Sequence, residues 1–305
     1  IFLKVTFIAY ICLFFRIVMV QRIISNSFNR SKKIPLKANS KFVFFSDCHR
    51  GDNSYTDDFT HNRKVYFHAL RNYYNKVFTY FELGDGIELW ENNDFDEIFN
   101  AHKDVFLLLR EFHLKNRLHM IWGNHDMVFK NQKKTDAILG SYFDEVTENT
   151  APLLDGLVFE ESIQLEVAEN DKTILLIHGH QADFFNYVCW KLSRFLVQIL
   201  WKPLQILGIK DPTSPAKNYK ELLRVEKRLK KWILANNNQM IIAGHTHRPR
   251  FPDPGELPYF NDGSCVHPRS ITGIEIENME ISLIKWHTIS KDDGTLQIVK
   301  TLLEG

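Results

Sequence analysis

The chain has 305 residues, 44% of them hydrophobic and 13% aromatic, enough to bury a large core in one domain with an inserted or appended element. Its 38 basic and 37 acidic residues leave a formal charge of +1, which gives no electrostatic case for nucleic acid as a partner. Cys12, Cys48, Cys189 and Cys265 are scattered and form no CxxC pair, which argues against a disulfide framework or a structural zinc cluster and suits a reducing compartment.

Residues 1–20 are mostly apolar, but Lys4 and Arg16 interrupt them. The longest charge-free run, Val5 to Phe15, is 11 residues, short of the roughly 20 that a membrane-spanning helix needs. No small-residue cleavage site follows, so a secretory signal is not supported. A weak signal-anchor helix, an interfacial helix and an extension foreign to the domain all stay open. Arg22, Arg30, Lys32, Lys33 and Lys37 would hold the main domain on the cytoplasmic side if the segment spanned. Residues 1–40 are therefore expected to be an apolar and basic extension. The folded domain is expected from Lys41, in the cytoplasm, free or at the inner face of a membrane.

From Lys41 the pattern alternates. Phe42 to Phe45 reads as a buried strand ending at polar Ser46 and Asp47. Asn62 to Phe78 has helical spacing. Val77 to Leu83 is a second strand, closed by Gly84-Asp85-Gly86. Phe95 to Lys115 reads as one helix with Phe99, Val105, Phe106, Leu109 and Phe112 on one side. Leu118 to Trp122 is a third strand, ending at Gly123-Asn124. Ser162 to Val167 and Thr173 to Ile177 read as a hairpin, with a turn over Glu169 to Lys172. Met240 to Ala243 is another buried strand, and Gly273 to Ile276 and Met279 to Trp286 read as antiparallel strands. Strands alternate with helices early and pair with one another late. That order predicts an α/β protein, a layered β-sandwich flanked by helices.

Between the hairpin and the Met240 strand lies an insert, Phe184 to Asn236. Its first half, Phe184 to Leu207, is apolar and aromatic, with Pro203 expected to break or kink the helix. Asp211 to Pro215 reads as a turn. Lys217 to Ala235 reads as a basic amphipathic helix with Tyr219, Leu222, Leu229, Trp232 and Ile233 on one face. Both ends of the insert lie close in sequence to His178 and His245. A helical-hairpin lid is expected here, against the plainer reading of a hairpin packed on the core.

Five short motifs end the predicted strands: Asp47-Cys48-His49, Gly84-Asp85, Gly123-Asn124-His125-Asp126, His178-Gly179-His180 and Gly244-His245-Thr246-His247. Strand ends are where layered α/β proteins gather reactive groups. Singly each motif is weak, since Asp-Gly is ordinary turn chemistry. Together they supply what two divalent cations need: a shared carboxylate, with His and Asn filling the remaining positions. Mixed nitrogen and oxygen donors suit manganese, iron or zinc better than calcium.

The ordered set DxH, GD, GNHD, HGH and GHTH resembles the calcineurin-like metallophosphoesterases. The longer strings at Ser46–Asp52, Gly84–Trp90 and Gly244–Pro249 are similar to the UDP-2,3-diacylglucosamine pyrophosphatase branch. The resemblance runs from about Lys41 to Trp286, with the insert only loosely matched. It implies one metal held by Asp47, His49 and His247, a second by Asn124, His178 and His245, and Asp85 bridging, with manganese foremost. It also implies that His125 assists the leaving oxygen and that Asp126 takes part in catalysis or, with Glu88, orients ligands. Arg50, His180 and Arg248 would contact substrate. His180 departs from the branch, which commonly has an acidic residue there.

The expected activity is hydrolysis of a phosphoester or pyrophosphate by a metal-bridging hydroxide. The expected substrate is a nucleotide-linked or lipid-linked diphosphate, with contact to a membrane surface. The alternatives are a phosphomonoesterase or phosphodiesterase on soluble substrates, phosphoproteins included, and a non-catalytic metal-binding scaffold. The full set of seven expected ligands plus His125 speaks against the scaffold.

Overall fold

The computed structural model describes residues 18–92, 94–168, 172–196 and 219–305. In chain order its strands are β1 (Lys32–Leu36), β2 (Lys41–Phe45), β3 (Thr79–Leu83), β4 (Leu118–Ile121), β5 (Ser141–Asp144), β6 (Asn149–Pro152), β7 (Phe159–Glu160), β8 (Ser162–Val167), β9 (Thr173–Ile177), β10 (Met240–Ala243), β11 (Tyr259–Asn261), β12 (Ser270–Glu277), β13 (Glu280–Ser290) and β14 (Leu296–Glu304). Its helices are α1 (18–30), α2 (Arg63–Asn75), α3 (Phe95–Ala101), α4 (Lys103–Leu114), α5 (Gln132–Leu139), α6 (Phe184–Val188), α7 (Trp190–Leu196) and α8 (Tyr219–Ala235).

Two sheets lie face to face. One has seven strands in the order β14-β13-β12-β2-β3-β4-β7, and the other five in the order β1-β8-β9-β10-β11. A separate hairpin pairs β5 with β6. Strands β2, β3 and β4 run parallel, as do β9 and β10. The continuous apolar runs follow from burial on both faces. In β2, Phe42 and Phe44 point between the sheets to meet Phe81, Leu176 and Ile242, while Val43 and Phe45 point outward. Each such side chain contributes about 1.5–3 kcal/mol by leaving water.

Helices cover both outer faces. Val65, Tyr66 and Ala69 of α2 and Val105, Phe106 and Leu109 of α4 pack on the seven-stranded sheet. Leu222, Val225, Leu229, Trp232 and Ile233 of α8, with Val20 and Ile24 of α1, pack on the five-stranded sheet. The layered sandwich flanked by helices is thus present.

Four features differ from the sequence expectation. The fold reaches upstream of Lys41: β1 pairs in parallel with β8, and α1 is tied to α8 by a 2.9 Å hydrogen bond from Trp232 Nε1 to Ser25 Oγ. The predicted helix from Phe95 to Lys115 divides at His102, which is buried and 2.8 Å from Asp57. The apolar half of the insert begins as two short helices, α6 and α7. The amphipathic half, α8, is not a free lid arm, because its apolar stripe covers a sheet. Its Tyr219 is exposed, and Val225 takes a buried place instead. The expected kink at Pro203, the turn from Asp211 to Pro215, most of the Glu169 to Lys172 turn and the first 17 residues lie outside the described residues. Among the described residues no helix is long and apolar enough to cross a membrane.

Candidate metal centre

All five motifs leave the C-terminal ends of parallel strands: β2, β3 and β4 in one sheet, β9 and β10 in the other. Backbone hydrogen bonds continue the pairing past the strand ends. Asp47 N–H donates to Gly84 O at 3.1 Å, His49 N–H to Asp85 O at 2.8 Å, and Gly244 N–H to His178 O at 2.8 Å. Asp47, His49, Asp85, His245 and His247 all sit in the left-handed region, with φ between 48° and 68°. Non-glycine residues seldom adopt that conformation. Five in one cluster mark a backbone strained to aim side chains at a common point. The chain also comes unusually close at Gly123, where an added Cβ would lie 2.1 Å from Asp85 Oδ1 and 2.5 Å from Asp85 N. No side chain fits there.

Two donor groups result: Asp47 with His49 and His247, and Asp85 with His178 and His245. Asp47 Oδ1 is 3.0 Å from His247 Nε2 and 3.8 Å from His49 Nε2. Asp85 Oδ2 is 3.1 Å from His178 Nε2 and 3.9 Å from His49 Nε2, so it stands between the groups. Four buried atoms of this cluster make no well-aligned hydrogen bond: Asn124 Oδ1 and His245 Nε2, and also Asp47 Oδ1 and His178 Nε2, which lie against the facing His247 and Asp85. Buried polar groups are nearly always satisfied. Two nitrogens and two oxygens left open together fit divalent cations of the manganese, iron and zinc kind.

The supporting hydrogen bonds have a clear logic. His178 Nδ1 is 2.8 Å from Leu83 O, which leaves Nε2 as the free ligating nitrogen. Glu88 lies 2.8 Å from both His49 Nδ1 and His125 Nδ1. These three also stand close enough together to suggest a metal group, but hydrogen bonding accounts for their contact. The His125 ring stacks on Trp90 at 4.4 Å between centroids.

Charge is distributed to match. Burial would raise the Asp47 and Asp85 carboxyls, but facing histidines more than offset it and hold both well below the usual range. Burial would lower His178, yet Asp85 and Asp47 raise it to about 9. Burial also opposes the charge on His125, which Glu88 and Asp85 nevertheless raise to about 10. Asp262 is pushed up, first by burial and then by Asp47.

Several expected site residues have other positions. Arg50, expected to grip phosphate, is fully buried. Its Nη2 donates to Glu82 Oε1 at 2.5 Å, and its guanidinium lies 5.5 Å from the Phe106 ring. It turns inward because Glu82 on β3 faces the helix-side core and needs a counter-charge. His180, expected to touch substrate, is also enclosed, between Trp122, Tyr187 and His178, with no open surface. Burial and then His178 hold it well below the ordinary range, so it is neutral. Asp126 is buried, and its carboxylate accepts N–H bonds from Gly123 at 2.6 Å and Gly86 at 2.8 Å. It therefore ties two loops together rather than facing a reactant. Arg248 is exposed, with its guanidinium 5.6 Å over the Tyr219 ring. Sequence reasoning assigned no role to Trp90, Ser46, Asp262 or Asp183, whose Oδ2 is 3.7 Å from His245 Nε2. A polar turn directly after β11 was the one available signal for Asp262.

Residues 40–249 match the family of calcineurin-like phosphoesterases. The chain belongs to that family. It is accordingly a metal-dependent phosphoester hydrolase with the metallophosphoesterase fold, and its two donor groups are candidates for the family's pair of divalent metals. Among solved structures it is similar to a predicted phosphoesterase from Streptococcus pneumoniae, at 14% identity and TM-score 0.35, covering 86% of this chain and 97% of that one. It is also similar to vacuolar protein sorting 29 from Cryptosporidium parvum, at 14% identity and TM-score 0.37, covering 87% and 98%. Among curated proteins none matches the chain in sequence.

Proposed function

We propose that this phosphoesterase cleaves the diphosphate bond of a nucleotide-linked or lipid-linked substrate, in the manner of the UDP-2,3-diacylglucosamine pyrophosphatases. The convergence of four buried donor atoms that make no well-aligned hydrogen bond carries the two-metal part of the reading. Asp47, His49 and His247 would hold one cation, Asn124, His178 and His245 the other, with Asp85 shared and manganese the first choice over iron or zinc. The bound pair would polarise the phosphoryl group and activate water for in-line attack. His125 carries the proton needed by the leaving oxygen, since Glu88 engages Nδ1 and leaves Nε2 for the substrate. Arg248, exposed one residue beyond His247, would meet a second phosphate.

The finer substrate class rests on the strings at Ser46–Asp52, Gly84–Trp90 and Gly244–Pro249. Exposed apolar residues on the insert helices also support it: Val188, Phe195, Tyr219 and Leu223. Such a surface suits acyl chains or the inner face of a membrane, with the enzyme in the cytoplasm. The packing of α8 onto a sheet favours the second reading, a monoesterase or diesterase on soluble substrates.

A hydrolysis screen of the full chain with Mn²⁺ separates these readings. It compares UDP-diacylglucosamine, a simple phosphodiester, a phosphomonoester and a phosphopeptide at matched concentration. Preference for the lipid diphosphate is expected. Preference for a small ester or the phosphopeptide overturns the lipid reading and keeps the metal site.

A further inference from the structure

We propose that Asp262 and Ser46 form a positioning relay that fixes which oxygen of Asp47 faces the metal site. The inference rests on the two-metal reading and adds two residues to it. Ser46 is the first residue after β2, and Asp262 the first after β11. Both are fully buried. Ser46 Oγ hydrogen-bonds Asp47 Oδ2 and lies 2.7 Å from Asp262 Oδ1. His245 N–H donates to the same Asp47 Oδ2 at 2.8 Å. Ser264 Oγ and Cys265 N–H donate to the Asp47 backbone carbonyl at 3.2 and 3.3 Å. Asp47 is thus held at its backbone and at one carboxylate oxygen. The other oxygen, Oδ1, faces His247 Nε2 at 3.0 Å and His49 Nε2 at 3.8 Å.

A count of hydrogens sets the direction of the relay. A serine hydroxyl has one hydrogen, and here two carboxyl groups contact its oxygen. Asp47 also accepts the His245 N–H and faces histidines, so it is the ionised acceptor. Asp262 touches Ser46, and its other oxygen is buried without a partner. An ionised carboxylate in that position would be a buried charge with no counter-charge beside it, which is strongly unfavourable. Asp262 is therefore the neutral acid. Its O–H donates to Ser46 Oγ, and Ser46 donates to Asp47. Gly244 leaves the room for this, since a Cβ there would stand 2.2 Å from Ser46 Oγ.

The test is calorimetric titration of Mn²⁺ into the metal-stripped full chain and its variants, with thermal unfolding of each metal-free form as a fold control. Asp262→Ala and Ser46→Ala are each expected to weaken Mn²⁺ binding roughly 10–100-fold, the usual effect of removing a partner of a ligand. The double variant should be no worse than either single one, because the two act as a unit. Asp262→Asn keeps a neutral donor and should restore affinity to within about threefold of the parent. If Asp262→Ala lowers stability alone and leaves Mn²⁺ affinity intact, the relay is overturned. It is equally overturned if Asp262→Asn loses as much affinity as Asp262→Ala, because a negative charge would then be the working feature. A parent chain that binds no Mn²⁺ overturns the two-metal reading itself.

Discussion

His49 and His125 stand edge to face with ring centroids 4.6 Å apart, and each presents Nδ1 to the same carboxylate, Glu88. One is a candidate ligand and the other a candidate proton donor, so one buried acid aligns both functions. His125→Ala should retain both donor groups and bind Mn²⁺ normally. Its turnover should fall by about 10²–10⁴-fold, the span typical of a lost general acid. Unchanged kcat in a metal-loaded His125→Ala enzyme would remove the residue from the mechanism.

Glu88→Gln separates charge from shape. The amide still reaches both rings but no longer offsets the burial that opposes charge on His125. Its proton should then be lost at lower pH than in the parent. The alkaline limb of the kcat/KM profile should move toward acid, with Mn²⁺ affinity reduced roughly tenfold through His49. A profile that stays in place would show that Glu88 only packs.

Arg50 should behave as a core residue in spite of its place between His49 and Gly51. Removing it leaves Glu82 as an unpaired buried charge. Arg50→Ala should therefore cost about 3–5 kcal/mol of stability, read from denaturant unfolding. KM should not change in whatever fraction stays folded. A raised KM at normal stability would return Arg50 to the substrate.

Arg50 also shows where reading the sequence stops working. Strands β2, β3, β4, β9 and β10 are legible because burial on both faces demands uninterrupted apolar runs, and the polar motifs that end them follow directly. The donor groups are legible for the same reason. The fate of Arg50 depends on Glu82, 32 residues later, whose direction is fixed only once β3 pairs with β2. The break at His102 depends on Asp57, 45 residues earlier. Ser46 and Asp262 are 216 residues apart. Strand β14 was missed for a different reason. It is mostly exposed, with only Ile298 and Val299 half-buried, so it carries no buried alternation to detect.

The metal-free protein should have an acid-shifted stability optimum. His178 is raised to about 9 and His125 to about 10, each against the opposing effect of burial and by the carboxylates they face. A group raised above its unfolded value of about 6.5 adds stability that is complete below that pH. The contribution is lost as pH climbs through the folded value. Asp47 and Asp85 are held low, so their contribution is present above about pH 4 and lost in stronger acid. The melting temperature of stripped protein should therefore be highest between about pH 5 and 7, and fall by several degrees toward about pH 10. Mn²⁺ should reverse the alkaline fall, because a ligating histidine must be neutral and the cation competes with the proton. Its affinity should rise across the window in which the stripped protein weakens. A stripped protein whose melting temperature holds steady to pH 10 would mean that these imidazoles are not charge-paired with Asp85 and Glu88.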